Sequence, residues 1–286
     1  MSLTQLAPYL ELFKKKFPLE QIEKTVYMQG AEHHVIEIND KWICKIQKTS
    51  DSTTLEIEKK VLNLLKGKIK TKIPTVAYAA KGFIVYKKIA GIELTTNFYN
   101  CLGESEQNLL AADIAFFLYE LHNGIELSEA QEIGLEQTNW PWSQQKIKEH
   151  AHLIGDQDLK EIFLIFIRNY QDIIVPLEQT KLIHNDLILR NIIVHPSTGR
   201  LSGIIDFTDA AIDSFYLDLR LNYMSIPKLS ESIAEYYARL NNVPLIMENI
   251  YLYYIATEFS RYLQDHGKNS LAKARIIEGF NLLQKQ

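Results

Sequence analysis

His184-Asn185-Asp186-Leu187-Ile188-Leu189-Arg190-Asn191-Ile192-Ile193-Val194, followed shortly by Leu201-Ser202-Gly203-Ile204-Ile205-Asp206, is the stretch that decides how this chain folds. Two short apolar runs, Ile192 to Val194 and Leu201 to Ile205, flank the turn-rich connector Pro196-Ser197-Thr198-Gly199. That pattern predicts an antiparallel hairpin, in which the start of the first strand lies beside the end of the second. Asn191 immediately precedes the first run and Asp206 immediately follows the second, so the two side chains are expected together at the open end. Asp186 stands five residues before Asn191 on a short loop. Two carboxylates and a carboxamide gathered there are hard oxygen ligands suited to Mg²⁺, with one group left to act on a hydroxyl. Phosphoryl transfer needs such a set: one Asp to accept or orient the attacking hydroxyl, an Asn and a second Asp to hold the metal ions that bridge nucleotide phosphates. The plainer alternative makes Asp186 and Asn191 turn residues and Asp206 a strand-end cap.

Upstream, Val35-Ile36-Glu37-Ile38 and Trp42-Ile43-Cys44-Lys45-Ile46 alternate around Asn39-Asp40, a second hairpin signal. A helix follows, with a capping box expected between Thr53 and Glu56 and an apolar face of Leu55, Val61, Leu62 and Leu65 that stops at Gly67. Glu58 falls inside that apolar arc, where a free charge is costly without a partner. Lys45 sits on a strand flanked by apolar residues. Each needs what the other supplies, the pairing a kinase-like site requires. Lys59 and Lys60 are other cations near Glu58, but as immediate helix neighbours they point elsewhere. Phe83 to Tyr86 reads as a further strand ending near Gly91.

Beyond Gly91 the chain is predicted mostly helical. Leu110, Ile114, Phe117, Leu118 and Leu121 recur at helical spacing up to His122-Asn123-Gly124. Further helices are expected over 144–155, 158–174, 230–240, 245–264 and 270–284. An amphipathic helix is expected from Met1 to Phe17, ending in three lysines. The composition changes near Gly91, which divides the chain into an N-terminal part over 1–91 and a helical part over 92–286.

His184 to Val194 and Leu201 to Ala210 together resemble the signature of aminoglycoside phosphotransferases and related small-molecule kinases. The resemblance implies an α+β, bilobal protein-kinase-like fold, with a small β-rich N-terminal lobe, a larger helical C-terminal lobe and nucleotide between them. It implies Asp186 as catalytic base, Asn191 and Asp206 as metal ligands for Mg²⁺, and ATP or GTP as phosphoryl donor. Asp218 matches a later, structural Asp of the family, while Ser214-Phe215 stands where the family usually has Asp-Pro. Phe83 to Gly91 resembles the strand and hinge between lobes, which would put the Lys87 carbonyl and the Ile89 amide at the adenine edge and Tyr86 behind the purine. Leu121-His122 matches the pair that closes a C-lobe helix, where His122 reads as structural. Gln29-Gly30-Ala31-Glu32-His33-His34 is a phosphate-covering loop with one glycine, and no Walker A pattern exists anywhere, which excludes a P-loop NTPase.

The formal net charge of -4 over 286 residues hides a split. Residues 1–91 carry 16 lysines, no arginine and 9 acids, whereas the remainder carries 15 basic residues and 26 acids. A uniformly basic nucleic-acid binder is disfavoured; a lysine-rich lobe is expected to cover phosphates and an acidic one to receive a cationic acceptor. Glu231 and Glu235, at i,i+4, are the acids singled out for that acceptor, the plainer alternative being a solvated helix face; the tyrosines near them (Tyr236, Tyr237, Tyr251, Tyr253, Tyr254) read as core in preference to the lining of a pocket. Choline, homoserine or a fructosamine are alternative acceptors, and a catalytically idle kinase-like binding module is the non-enzyme alternative. Cys44 and Cys101 offer neither a disulfide framework nor a CxxC metal pair. With neither a leader pattern nor an apolar run of membrane-spanning length, the sequence leads us to expect a cytoplasmic protein without a membrane partner, acting as a monomer.

Overall fold

In the computed structural model the described residues are 3–30, 33–49, 53–170, 180–220, 226–244 and 247–285. The chain opens with α1 (Leu3–Lys16), then β1 (Thr25–Gln29), β2 (His33–Ile38), β3 (Trp42–Gln47), α2 (Thr54–Leu65), β4 (Val76–Ala80) and β5 (Phe83–Lys87). The five strands form one antiparallel sheet in the order β1-β2-β3-β5-β4. The β2–β3 hairpin turns through Asn39 and Asp40, both at positive φ, a conformation that short polar side chains tolerate. Leu6 and Phe13 of α1 cover one face of the sheet, packing with Ile36, Ile38, Trp42 and Phe83.

Past β5 come β6 (Ile92–Glu93), α3 (Thr96–Cys101), α4 (Glu104–Asn123), α5 (Leu127–Glu132), α6 (Gln144–Glu149) and α7 (Gln157–Tyr170). Then follow β7 (Thr180–Ile183), β8 (Ile192–Val194), β9 (Leu201–Ile204), β10 (Ala211–Ser214), α8 (Tyr216–Leu219), α9 (Pro227–Asn241), α10 (Met247–Gln264) and α11 (Ser270–Leu283). The architecture is thus α+β, an N-terminal five-stranded antiparallel sheet ahead of a mainly helical part. Residues 250–260 of α10 are buried throughout, and Tyr237, Tyr251, Tyr253 and Tyr254 lie in the core. Among the described residues no helix is long and apolar enough to cross a membrane.

Several local expectations change. The Thr53 side chain makes no cap hydrogen bond. Glu56, expected to complete the capping box, pairs instead with Lys59 at 3.0 Å. The helix expected over 144–155 shortens to α6 followed by a 3-10 turn at Ala151–Leu153. The ends of the helices expected at 171–174 and 245–246 lie outside the described residues. Gly91 has φ +142°, and a Cβ there would stand 2.5 Å from the Val194 carbonyl oxygen. The chain therefore passes from the sheet to the helical part pressed against β8, a path a side chain would block. The sheet keeps an apolar cluster of its own with α1, while Val61, Leu62 and Leu65 of α2 join the same apolar cluster as α4.

Candidate active site

The hairpin read from the sequence forms as β8 and β9, antiparallel, with Ile192 opposite Ile204. The Ile205 amide donates to the Asn191 carbonyl at 3.0 Å, which fixes Asn191 and Asp206 at the same open end. Both line a cleft of about 760 Å³, together with Asp186, Lys45, Tyr86, Ile89 and Asp209. Asn191 is buried, and its Nδ2 donates to the Asp186 carbonyl at 2.7 Å and to Asp186 Oδ2 at 3.0 Å. Asp206 stands at φ +70°, a strained conformation for a residue with a Cβ. Its Oδ1 accepts from Lys45 Nζ and from Thr208 Oγ1, each at 2.8 Å.

Register on the sheet selects what faces the cleft. Val35 pairs with Lys45, and Ile43 with Tyr86. Residues two apart point to the same face; accordingly His33, Val35, Glu37, Ile43 and Lys45 all line the cleft. Lys45 Nζ also reaches Glu58 of α2, at 2.8 and 3.0 Å to its two oxygens, and Glu58 is fully buried. Burial disfavours the Lys45 charge, but Glu58, Tyr86 and Asp206 together raise its pKa well above the ordinary value. The same cation, with the Thr208 hydroxyl, overcomes the burial of Asp206 and holds its carboxyl below the usual range. Asp186 differs: burial, reinforced by the charges of Asp209 and Asp206, raises its carboxyl to about 7 against the opposing Arg190 and Asn191.

A second layer holds the Asp186 loop. Asp218, wholly buried, accepts from the His184 amide at 2.9 Å, the Asn185 amide at 2.7 Å and His122 Nε2 at 3.0 Å. Burial would raise its pKa, but these donors and the nearby imidazoles lower it. His122 is buried and also bonds the Tyr237 hydroxyl at 2.8 Å, which places it in packing rather than chemistry. Arg220, also buried, reaches Asn185 Oδ1 at 3.3 Å and Thr257 Oγ1 at 2.9 Å. Asn185 itself adopts φ +63°, so the loop is bent there and tied from three sides.

The remaining expected residues separate. Ile89 lines the cleft, whereas the Lys87 side chain turns toward the Trp42 ring at 5.8 Å. Of the N-terminal lysines, Lys45 and Lys88 line the cleft, and Lys88 is paired with Glu37 at 2.9 Å. Lys66, Lys70, Lys72 and Lys87 line a separate groove, so most of the lysine excess does not cover this cleft. Glu231 and Glu235 lie exposed on α9, where Glu235 pairs with Arg239 at 3.3 Å, and neither lines the cleft. Sequence reading missed His33, Thr208, Asp209 and Arg220 as members or supports of the site. Asp209 and Thr208 follow Asp206 closely enough to have been suspected, and His33 lies in the loop read as phosphate-covering without being singled out; nothing in the local pattern marks Arg220.

A small sheet-based part over a helical part, with a Lys–Glu pair above and an Asp/Asn/Asp set below one cleft, defines a kinase-like phosphotransferase. Residues 25–246 match the model of the phosphotransferase enzyme family known as APH, and the chain belongs to that family: it is a small-molecule kinase. Solved structures share the fold. The GDP complex of wild-type aminoglycoside 2'-phosphotransferase-IIIa aligns with a TM-score of 0.79 at 22% identity, covering 98% of this chain and 97% of that one. The streptomycin–ATP ternary complex of APH(2")-IIa aligns at 0.72 and 20% identity, covering 98% and 96%. Macrolide 2'-phosphotransferase type I aligns at 0.68 and 16% identity, covering 97% and 98%.

Proposed function

We propose that the chain transfers the γ-phosphoryl group of ATP or GTP to a hydroxyl of an aminoglycoside-like small molecule, its two lobes meeting at Gly91. The observation that carries this reading is the convergence of Lys45, Asp186, Asn191 and Asp206 on one cleft from both halves of the chain. Asp186 orients the acceptor hydroxyl and takes its proton as the oxygen attacks the γ-phosphorus; the bond to the β–γ bridging oxygen breaks and the nucleoside diphosphate leaves. A carboxyl near neutrality suits that task, since a base works best with its pKa near the working pH. Asn191 positions Asp186 through Nδ2, and its Oδ1 is the oxygen that would serve a metal ion. With the Asp206 carboxylate it makes a hard-oxygen donor pair that fits Mg²⁺. Bound there, Mg²⁺ supplies charge neutralisation of the phosphoryl oxygens. Lys45, held by Glu58, reaches the α/β-phosphates, and the backbone at Lys87 and Ile89 meets the base.

The acidic balance beyond Gly91 supports a cationic acceptor. Glu231 and Glu235 are exposed on α9 and do not line the cleft, so they are not among the residues this reading rests on. An idle binding module would be expected to have lost a member of the set, and Lys45, Glu58, Asp186, Asn191 and Asp206 are all present. Purified protein with Mg²⁺ and either nucleotide is to be screened for phosphate transfer to aminoglycosides, macrolides, choline and homoserine. Transfer to an aminoglycoside is expected, and resistance to that antibiotic in a host would follow. Asp186→Asn should lower turnover by at least ~100-fold, the range for a lost general base, with nucleotide affinity kept. Near-normal turnover in that variant would refute the base assignment.

A further inference from the structure

The β1–β2 turn should cover the nucleotide phosphates in this fold, yet it has a single glycine, Gly30, to bring backbone amides close. What the sheet offers instead is an imidazole. His33 opens β2, lies diagonal to Lys45 across the β2–β3 ladder because Val35 is the residue directly opposite Lys45, and lines the cleft. Diagonal neighbours on one sheet face are about 7–8 Å apart, near enough for both side chains to reach one polyphosphate. His33 is 6% exposed and does not hang free. Its Nε2 is 2.8 Å from Thr54 Oγ1 in the first turn of α2, the helix that carries Glu58. The Gly30 amide donates to the His33 carbonyl at 3.0 Å, closing the turn on the same residue.

We infer that His33 is a phosphate-contacting residue that does here what loop amides do in a glycine-rich turn. The Thr54 hydroxyl donates to Nε2, which fixes the tautomer with the proton on Nδ1, and Nδ1–H donates to a phosphate oxygen of the bound nucleotide. A neutral ring suffices for this. Burial, with the charge of Lys45, lowers the His33 pKa to about 4 in the nucleotide-free protein, which keeps the ring a one-proton donor at neutral pH. The same bond ties the phosphate-covering turn to α2, so the phosphates, His33, Thr54 and the Glu58–Lys45 pair form one connected clamp.

This inference rests on the phosphotransfer reading, and its test separates the two. Dissociation constants are measured for ADP against adenosine, and GDP against guanosine, on the full chain, with its melting temperature alongside. A hydrogen bond to a charged group is worth roughly tenfold or more in affinity. His33→Ala should therefore weaken the diphosphate about tenfold and the nucleoside less than about twofold. Thr54→Val should weaken the diphosphate in the same selective way, and His33→Asn, which keeps an N–H donor, should recover part of the loss. Equal losses for nucleoside and diphosphate, or no loss for either, overturn the assignment while the phosphotransfer reading stands. Wild-type protein that binds neither nucleotide overturns both.

Discussion

Removing the ammonium of Lys45 while keeping the volume, as in Lys45→Met, leaves the Glu58 carboxyl buried without a cation. Glu58 has no exposed surface and Lys45 is only 7% exposed, so water cannot replace the lost partner. Breaking a buried pair from one side costs roughly 3–5 kcal/mol. The alternative open to Glu58 is to protonate. Measured from the ordinary carboxyl value of 4.5, above which burial already raises Glu58, holding the proton at pH 7 costs about 3–4 kcal/mol at ~1.4 kcal/mol per pH unit. The two figures agree, and the second makes a sharper claim, because it depends on pH. In the variant the Glu58 pKa is raised above its unfolded value. A raised carboxyl favours the folded state below its pKa and disfavours it as pH climbs past the unfolded value. The penalty of Lys45→Met should thus be about 1 kcal/mol or less at pH 5 and grow toward pH 7. Glu58→Leu should cost less at pH 7 than Lys45→Met, because Lys45 keeps Asp206 at 2.8 Å. The double variant should be more stable than Lys45→Met alone, since no orphaned Glu58 remains. Urea unfolding of wild type and the three variants at pH 5, 6 and 7 checks this, as does a melting-temperature loss of about 6–15 °C for Lys45→Met at pH 7. A Lys45→Met penalty that is flat with pH, or a double variant no better than the single, would refute the buried-pair argument.

Other outcomes are expected from the same geometry. The Asp186 carboxyl, raised to about 7, must be ionised to accept a proton, so kcat/KM, which reports the free enzyme, should fall tenfold per pH unit below 7 and level off above it; a flat profile between pH 6 and 8 would contradict the role. Asp206→Ala should abolish the Mg²⁺-dependent part of the nucleotide-induced thermal shift, and a shift equal to wild type would remove Asp206 from the metal set. Asp218→Asn replaces an oxygen that accepts from the Asp186 loop with a donor, and should cost about 1–3 kcal/mol together with a loss in kcat. Because the Asp218 pKa is lowered on folding, its contribution is present above the ordinary carboxylate range and is lost as pH falls through the folded value. Wild type should thus lose more stability than Asp218→Asn on acidification below the ordinary carboxylate value, as paired melting curves at pH 5 and about pH 2 would reveal.

The reach of sequence reading followed separation along the chain. Asn191 and Asp206 are fifteen positions apart across one hairpin, and pairing two apolar runs around a turn left them no place but side by side. Lys45 and Glu58 are thirteen apart, and the electrostatic cost of a charge in an apolar helical arc was enough to demand the partner that the fold supplies. The β2–β3 turn and the stop at Gly67 were equally local. Short strands such as β7 and β10, four residues each, carry too little alternation to stand out.

What the amino-acid order determined was the α+β character, the two hairpins, and the residue types from which a phosphoryl-transfer site can be built. Tertiary structure alone brought Lys45 to Asp206 across 161 positions, ran Asp218 under the Asp186 loop, turned His33 into the cleft and left Glu231 and Glu235 on an outer helix face. It also turned most of the N-terminal lysines away from the cleft that the charge count had assigned to them. The physical reason is that hydrophobic periodicity says which face of an element is buried, not which other element buries it. Charge counts carry no direction at all. The packing of α2 into the helical core, the Lys45–Asp206 contact and the close approach of Gly91 to β8 fix one half of the site against the other.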